Sequence, residues 1–207
     1  MLFTDRNQAA YQLADALSQY QDKHPLVLAI PRGAVPMGRI ITDTLGGDLD
    51  VVLVRKLPVP FTPEYSTGSV DESGWTYVFD SAAAAGATPE YIEQEKQRQL
   101  ATMRRRRAEY TPLRPPVDPA GRIVIVVDDG LATGATMIAA LHGLRERKPA
   151  RLVCAVPVAP VDSVDRVRQY ADDVVCLETP FSFQAVGQFY SDFPQVEDEE
   201  VVEILRR

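Results

Sequence analysis

The chain has 207 residues, of which 45% are hydrophobic and 25% charged, and a formal net charge of −7. That length suits one α/β domain, or a core with a small appendage, and buries a core without disulfides. The acidic balance argues against general nucleic-acid binding, no apolar run is long enough to cross a bilayer, and two histidines with two cysteines assemble no metal cluster.

The first residues lack the basic start and apolar stretch of a signal peptide, which predicts a cytoplasmic protein. Residues 5–20 place Ala10, Leu13, Ala14, Leu17 and Tyr20 at helical spacing behind a Thr4 or Asp5 cap. Residues 26–30 read as a buried strand entering the tight loop Pro31-Arg32-Gly33. Residues 35–45 read as a helix stopped by Gly46-Gly47, and 51–54 as a second buried strand. Residues 65–80 alternate around Glu72-Ser73-Gly74, which predicts an antiparallel hairpin. Thr88 as cap and Pro89 at the first helical position open a long helix running to about Tyr110.

A proline-rich connector over 111–120 follows. Then come a strand at 123–127, a helix at 135–147, a strand at 152–156, a helix at 161–170 and a strand at 174–177. The tail, 178–207, is aromatic, then acidic, and ends in a short helix. Cys154 and Cys176 sit in apolar strand-like runs and read as reduced packing residues. Buried β-branched runs alternating with helices predict an α/β fold: a mainly parallel central sheet with helices on both faces. Ligands in such folds bind beyond the carboxyl ends of the strands. The expected organisation is a core over 1–177, with a hairpin-and-helix insertion at about 60–118, and a C-terminal hood over 178–207.

The most informative stretch is 122–137, RIVIVVDDGLATGATM. Five apolar strand residues end in Asp128 and Asp129; a glycine-containing loop follows, and a helix begins. Free amides and the positive dipole end of a helix N-terminus suit a phosphate. Gly134 admits close backbone approach, and the Thr133 and Thr136 hydroxyls add donors. Two carboxylates at a strand end suit vicinal ribose hydroxyls or hydrated Mg²⁺. Neither a P-loop nor a dinucleotide-binding glycine fingerprint is present.

VVDDGLATGAT resembles the signature of type I phosphoribosyltransferases. The resemblance implies that fold and displacement of pyrophosphate from C1 of phosphoribosyl pyrophosphate (PRPP) by a nitrogen nucleophile, with Mg²⁺ as the cofactor accompanying PRPP. It assigns Asp128 and Asp129 to the ribose hydroxyls, directly or through the metal, and to stabilising an oxocarbenium-like transition state. Ala132, Thr133, Gly134, Ala135 and Thr136 take the 5-phosphate. Pro31, Arg32, Gly33 and Ala34 correspond to the pyrophosphate loop. Arg55 and Lys56, at the end of the second strand, resemble the V-R-K segment of adenine and orotate enzymes that faces pyrophosphate.

The hairpin stands where the family carries its flexible catalytic loop, which makes Asp71 or Glu72 a candidate general base, with an ordinary acidic hairpin tip as the alternative. Alanine at 132 replaces an aspartate of hypoxanthine-guanine enzymes and agrees with adenine enzymes. The tail resembles the segment over the base in purine enzymes, so Phe181, Phe183, Tyr190 and Phe193 are candidates to stack on it. Residues 104–107 are four arginines on all sides of a helix, a solvated or subunit-contacting face or else a basic wall beside an anion. The chain also resembles bacterial stand-alone phosphoribosyltransferases with the same DDGLATGATM stretch. The implied partners are PRPP and a base, and family habit implies a homodimer. The alternative is a regulator that binds PRPP or a nucleotide without turnover; the acidic composition and the lack of a DNA-binding segment weigh against it.

Overall fold

The computed structural model describes residues 2–112 and 116–206. Five parallel strands form the central sheet in the order β2-β1-β6-β7-β8. These are β1 (Leu26–Ala29), β2 (Asp48–Val51), β6 (Ile123–Val127), β7 (Arg151–Val158) and β8 (Asp173–Glu178). A second, antiparallel sheet joins β3 (Val54–Val59), β4 (Thr62–Asp71) and β5 (Thr76–Val78). The helices are α1 (Arg6–Ala16), α2 (Val35–Leu45), α3 (Pro89–Tyr110), α4 (Ala135–Glu146), α5 (Val161–Val167) and α6 (Asp198–Arg206).

Successive strand residues serve opposite faces. Val27, Ala29, Ile125, Val127, Val153 and Ala155 join one core with α1, α2, α3 and α6. Leu26, Leu28, Val124, Val126, Leu152 and Cys154 join the other with α4, α5 and the β4–β5 hairpin. Both faces are covered, which is why these strands read as continuous apolar runs. The caps follow the sequence: Asp5 accepts from the Gln8 amide at 2.8 Å, and Thr88 accepts from the Tyr91 amide at 3.2 Å. Both cysteines are free, Cys154 buried and Cys176 half-buried. No helix among the described residues is long and apolar enough to cross a membrane.

Three readings need correction. The expected strand at 51–54 is the junction of two: β2 ends at Val51, and β3 begins the second sheet at Val54. Asp48 and Asp50 interrupt the apolar pattern of β2, yet Asp50 is buried, accepting from the amides of Val51 and Val117 at 2.8 and 2.9 Å. Consequently Arg55 and Lys56 do not end a strand of the parallel sheet; they lie near the start of β3. The expected hairpin is present, but β3 adds a third strand to it. Finally, α5 stops at Val167 rather than 170. The connector reading at 111–120 falls partly on 113–115, outside the described residues.

Candidate phosphoribosyl site

In the order β2-β1-β6-β7-β8, the chain leaves β1 toward β2 and β6 toward β7, so the sheet reverses its winding between β1 and β6. The loops after these two strands open a crevice at that point. A cleft of about 770 Å³ occupies it, lined by Pro31 and Gly33 after β1, by 128–134 and Thr136 after β6, and by Arg55 and Lys56 of β3.

The geometry after β6 is built by the strand's own register. The Asp128 amide continues the ladder to the Ala155 carbonyl at 3.3 Å, and the Leu131 amide reaches the Val158 carbonyl at 2.9 Å. Between them both carboxylates leave the sheet. The Asp129 amide donates to Asp128 Oδ1 at 2.9 Å. Gly134, at φ 81°, turns the chain into α4 in a conformation costly for a side chain. The loop is braced from behind: Ser163 Oγ donates to the Ala132 carbonyl at 2.7 Å, Arg166 to the Thr133 carbonyl at 3.2 Å, and Ser69 Oγ to the Ala135 carbonyl at 2.6 Å. The Ala135 amide donates to Thr133 Oγ1 at 3.4 Å, and the N-terminal end of α4 that starts here is the end of a helix at which an anion is favoured.

The two acids have different surroundings. Burial, reinforced by the neighbouring Asp129 charge, pushes the Asp128 carboxyl well above the usual carboxylate range. Burial raises Asp129 too, but the Arg6 guanidinium opposes it. Arg6 Nε and Nη2 each lie 3.0 Å from Asp129 Oδ2. Across the cleft, Arg55 donates to Gln99 Oε1 at 2.9 Å. Burial lowers the Arg55 pKa, and the nearby Arg106 charge lowers it further. Among the described residues no group of three or more His, Cys, Asp or Glu stands ready for a metal. Two carboxylates, one of them paired, instead fit Mg²⁺ carried in by a ligand's phosphates, since that ion commonly takes only one or two protein carboxylates.

The cleft therefore gathers Pro31, Gly33, Arg55, Lys56, Asp128, Asp129, Ala132, Thr133, Gly134 and Thr136, while Ala34 and Ala135 are buried at the first turns of α2 and α4. The peptide between Pro31 and Arg32 is cis. Arg32 does not line the cleft and pairs with Glu197 at 3.4 Å and Asp198 at 3.6 Å.

The candidate bases are elsewhere. Asp71 ends β4 on the far side of the small sheet, where its Oδ1 accepts from the amides of Ser73 and Trp75 at 2.9 and 3.0 Å and so closes the hairpin turn. Glu72 pairs with Arg107 at 2.5 Å. Both acids do turn and packing work, and neither lines the cleft. Of the stacking candidates, Phe183 packs on Phe189, Tyr190 is buried with its hydroxyl donating to the Asp129 carbonyl at 2.6 Å, and Phe193 lies beneath Arg6. Phe181 is fully exposed and lies outside the cleft lining. The four arginines divide as a helix requires: Arg104 and Arg105 are exposed, Arg107 is paired, and Arg106 stands beside Arg55.

Sequence reasoning missed Glu64 and Tyr65, which line the cleft from the edge of β4, and Gln184 and Val186 of the tail. Arg6, Ser163 and Arg166 left no signal, because each acts on a residue far away in the chain.

A doubly covered parallel sheet carries an acid pair and a glycine loop at its switch point, and the cleft opens there. Comparison with known proteins gives the family: the phosphoribosyl transferase domain model matches residues 3–193, and the chain belongs to that family. Two Mycobacterium tuberculosis proteins named "Putative phosphoribosyl transferase", Rv0571c and MT0597, are each 42% identical over the whole chain. The match covers 47% of their length, so the chain spans about half of these relatives. The crystal structure of TT1426 from Thermus thermophilus superposes with a TM-score of 0.82 at 43% identity, covering 99% of this chain and 98% of that one. The fold is that of type I phosphoribosyltransferases.

Proposed function

We propose that the protein transfers the 5-phosphoribosyl group of PRPP to a nitrogenous acceptor, a nucleobase, with release of pyrophosphate. The observation that carries this reading is the convergence of Asp128, the 132–136 loop and the Arg55–Lys56 pair on one cleft. The loop at the start of α4 takes the 5-phosphate, Asp128 a ribose hydroxyl, and the Pro31–Gly33 segment with Arg55 and Lys56 the pyrophosphate. Mg²⁺ bound with PRPP would neutralise part of the leaving group's charge. The Asp128 carboxylate would stabilise the positive charge that grows on the ribose as the bond to pyrophosphate lengthens. Fixing both ends of PRPP aligns C1 for the incoming nitrogen.

The test is pyrophosphate release from Mg-PRPP across purine and pyrimidine bases, with a no-base control. Release that depends on one base is the expected result and identifies the acceptor. PRPP binding without release from any base would replace transferase with a PRPP-sensing regulator.

The same reading gives a role to the acidic start of α6. Glu197 and Asp198 hold Arg32 beside the pyrophosphate loop. Such partly exposed pairs are worth about 0–1 kcal/mol. Releasing Arg32 with the double variant Glu197→Gln, Asp198→Asn should therefore raise pyrophosphate affinity by only about two- to fivefold at low salt, following roughly tenfold per 1.4 kcal/mol. Calorimetric titration in the presence and absence of Arg32→Ala checks it: the gain should vanish when Arg32 is removed and shrink at high salt.

A further inference from the structure

Arg6 stands 123 residues from the acid it binds, and everything around it fixes one geometry. Its Nε and Nη2 both reach Asp129 Oδ2 at 3.0 Å, and Nη1 donates to the Pro194 carbonyl at 2.6 Å. The guanidinium carbon lies 3.7 Å from the centre of the Phe193 ring. The segment before Arg6 is pinned as well: the Phe3 amide donates to the Phe189 carbonyl at 2.9 Å, and the Asp192 amide to the Thr4 carbonyl at 2.8 Å. Tyr190 secures the Asp129 main chain through its hydroxyl bond to that residue's carbonyl. The same Oδ2 abuts the pyrophosphate loop, since a Cβ on Gly33 would overlap it and lie 3.1 Å from Asp129 Cγ and 3.2 Å from Arg6 Nη2.

From this arrangement we infer that Arg6 is a positioning residue for the phosphoribosyl site: it commits the Asp129 carboxylate to bracing the pyrophosphate loop and leaves Asp128 as the carboxylate open to ribose. The inference rests on the PRPP reading above. Neither acid is redundant under it, and their work differs. An arginine suits the place because its planar fork stacks on Phe193 while two of its nitrogens point at one oxygen; a lysine keeps the charge and loses that geometry. Substitution of partners that orient ligand-holding groups commonly costs 10–100-fold in affinity.

The experiment compares Mg-PRPP with ribose 5-phosphate, which lacks the pyrophosphate, by calorimetric titration of the full chain. Arg6→Met should weaken Mg-PRPP binding by about 10–100-fold. Ribose 5-phosphate, held by Asp128 and the 132–136 loop, should change less than about threefold, well below the tenfold that 1.4 kcal/mol brings. Arg6→Lys should recover part of the loss, and Arg6→Met should add nothing in an Asp129→Asn background. Equal loss of both ligands, an Arg6→Met effect that persists beside Asp129→Asn, or wild-type affinity in Arg6→Met would each overturn the inference. Failure of the wild-type chain to bind Mg-PRPP would instead overturn the underlying site reading.

Discussion

Asp128→Asn is expected to stabilise the unliganded protein at neutral pH while weakening Mg-PRPP binding by about 10–100-fold, the worth of one charge-assisted hydrogen bond of roughly 1.5–3 kcal/mol. The opposed signs come from one cause. The carboxylate lines the cleft yet is largely withdrawn from water, and it stands beside a second one, so folding favours its protonated form and raises its pKa. A carboxyl whose pKa is higher in the folded than in the unfolded chain contributes stability that is full below the unfolded value and is lost as pH rises through the folded value. The wild-type chain should therefore lose this contribution on going from acid toward neutral pH. Asparagine carries no charge at any pH and keeps an oxygen for the Asp129 amide, so the loss disappears.

A gain on the order of 1 kcal/mol is the usual size when a functional group at odds with the fold is replaced. In a chain of this length that corresponds to about 2–4 °C in Tm. Thermal melts of both proteins across pH 4–8, without ligand, check it. A variant no more stable than wild type at pH 7.5 would mean that Asp128 already has compensation in the empty cleft.

What the sequence made legible was contiguous. The run from Ile123 to Thr136 carries strand, acids, loop and helix start in one stretch, each with a local physical reason, and residues 88–110 announce their helix through a cap and a first-turn proline. β1, β6 and the interior of β7 were legible because burial on both faces leaves them no polar residue. β2 was illegible for the converse reason: Asp48 and Asp50 sit in it, and Asp50 finds its partners in Val117 and Arg107, far along the chain. The hairpin acids misled because an exposed acidic tip and an amide-capping acid look alike in sequence; only the bonds from Ser73 and Trp75 separate them. The tail aromatics look like a stacking platform, yet Phe193 is covered by Arg6 and Tyr190 by Phe3, contacts that join opposite ends of the chain. A site of this kind is announced by its loop and finished by residues that only the fold brings near.

Gly33→Ala should bring the second large effect, and it should do so through sterics alone. The backbone at Gly33 is not in the left-handed region, so alanine meets no penalty from φ. The added methyl would overlap Asp129 Oδ2 and lie 3.2 Å from Arg6 Nη2. A flexible neighbour would swing away at little cost, but Asp129 is held by Arg6, and Arg6 by Phe193 and Pro194. Either the loop after β1 shifts outward or the ion pair opens. Overpacking of this kind costs about 1–3 kcal/mol. Opening the largely buried pair reaches the upper part of that range or beyond, because each charge then lacks its partner. The expected result is a loss of about 1–3 kcal/mol in denaturant unfolding, with pyrophosphate affinity reduced at least tenfold as the loop is displaced. Combining Gly33→Ala with Asp129→Ala, which removes the obstructing carboxylate, should recover stability relative to the sum of the single variants, a coupling of about 0.5–3 kcal/mol for groups in direct contact. Strict additivity of the two would show that the loop after β1 and the acid after β6 do not bear on each other, and would remove the steric argument for glycine at this position.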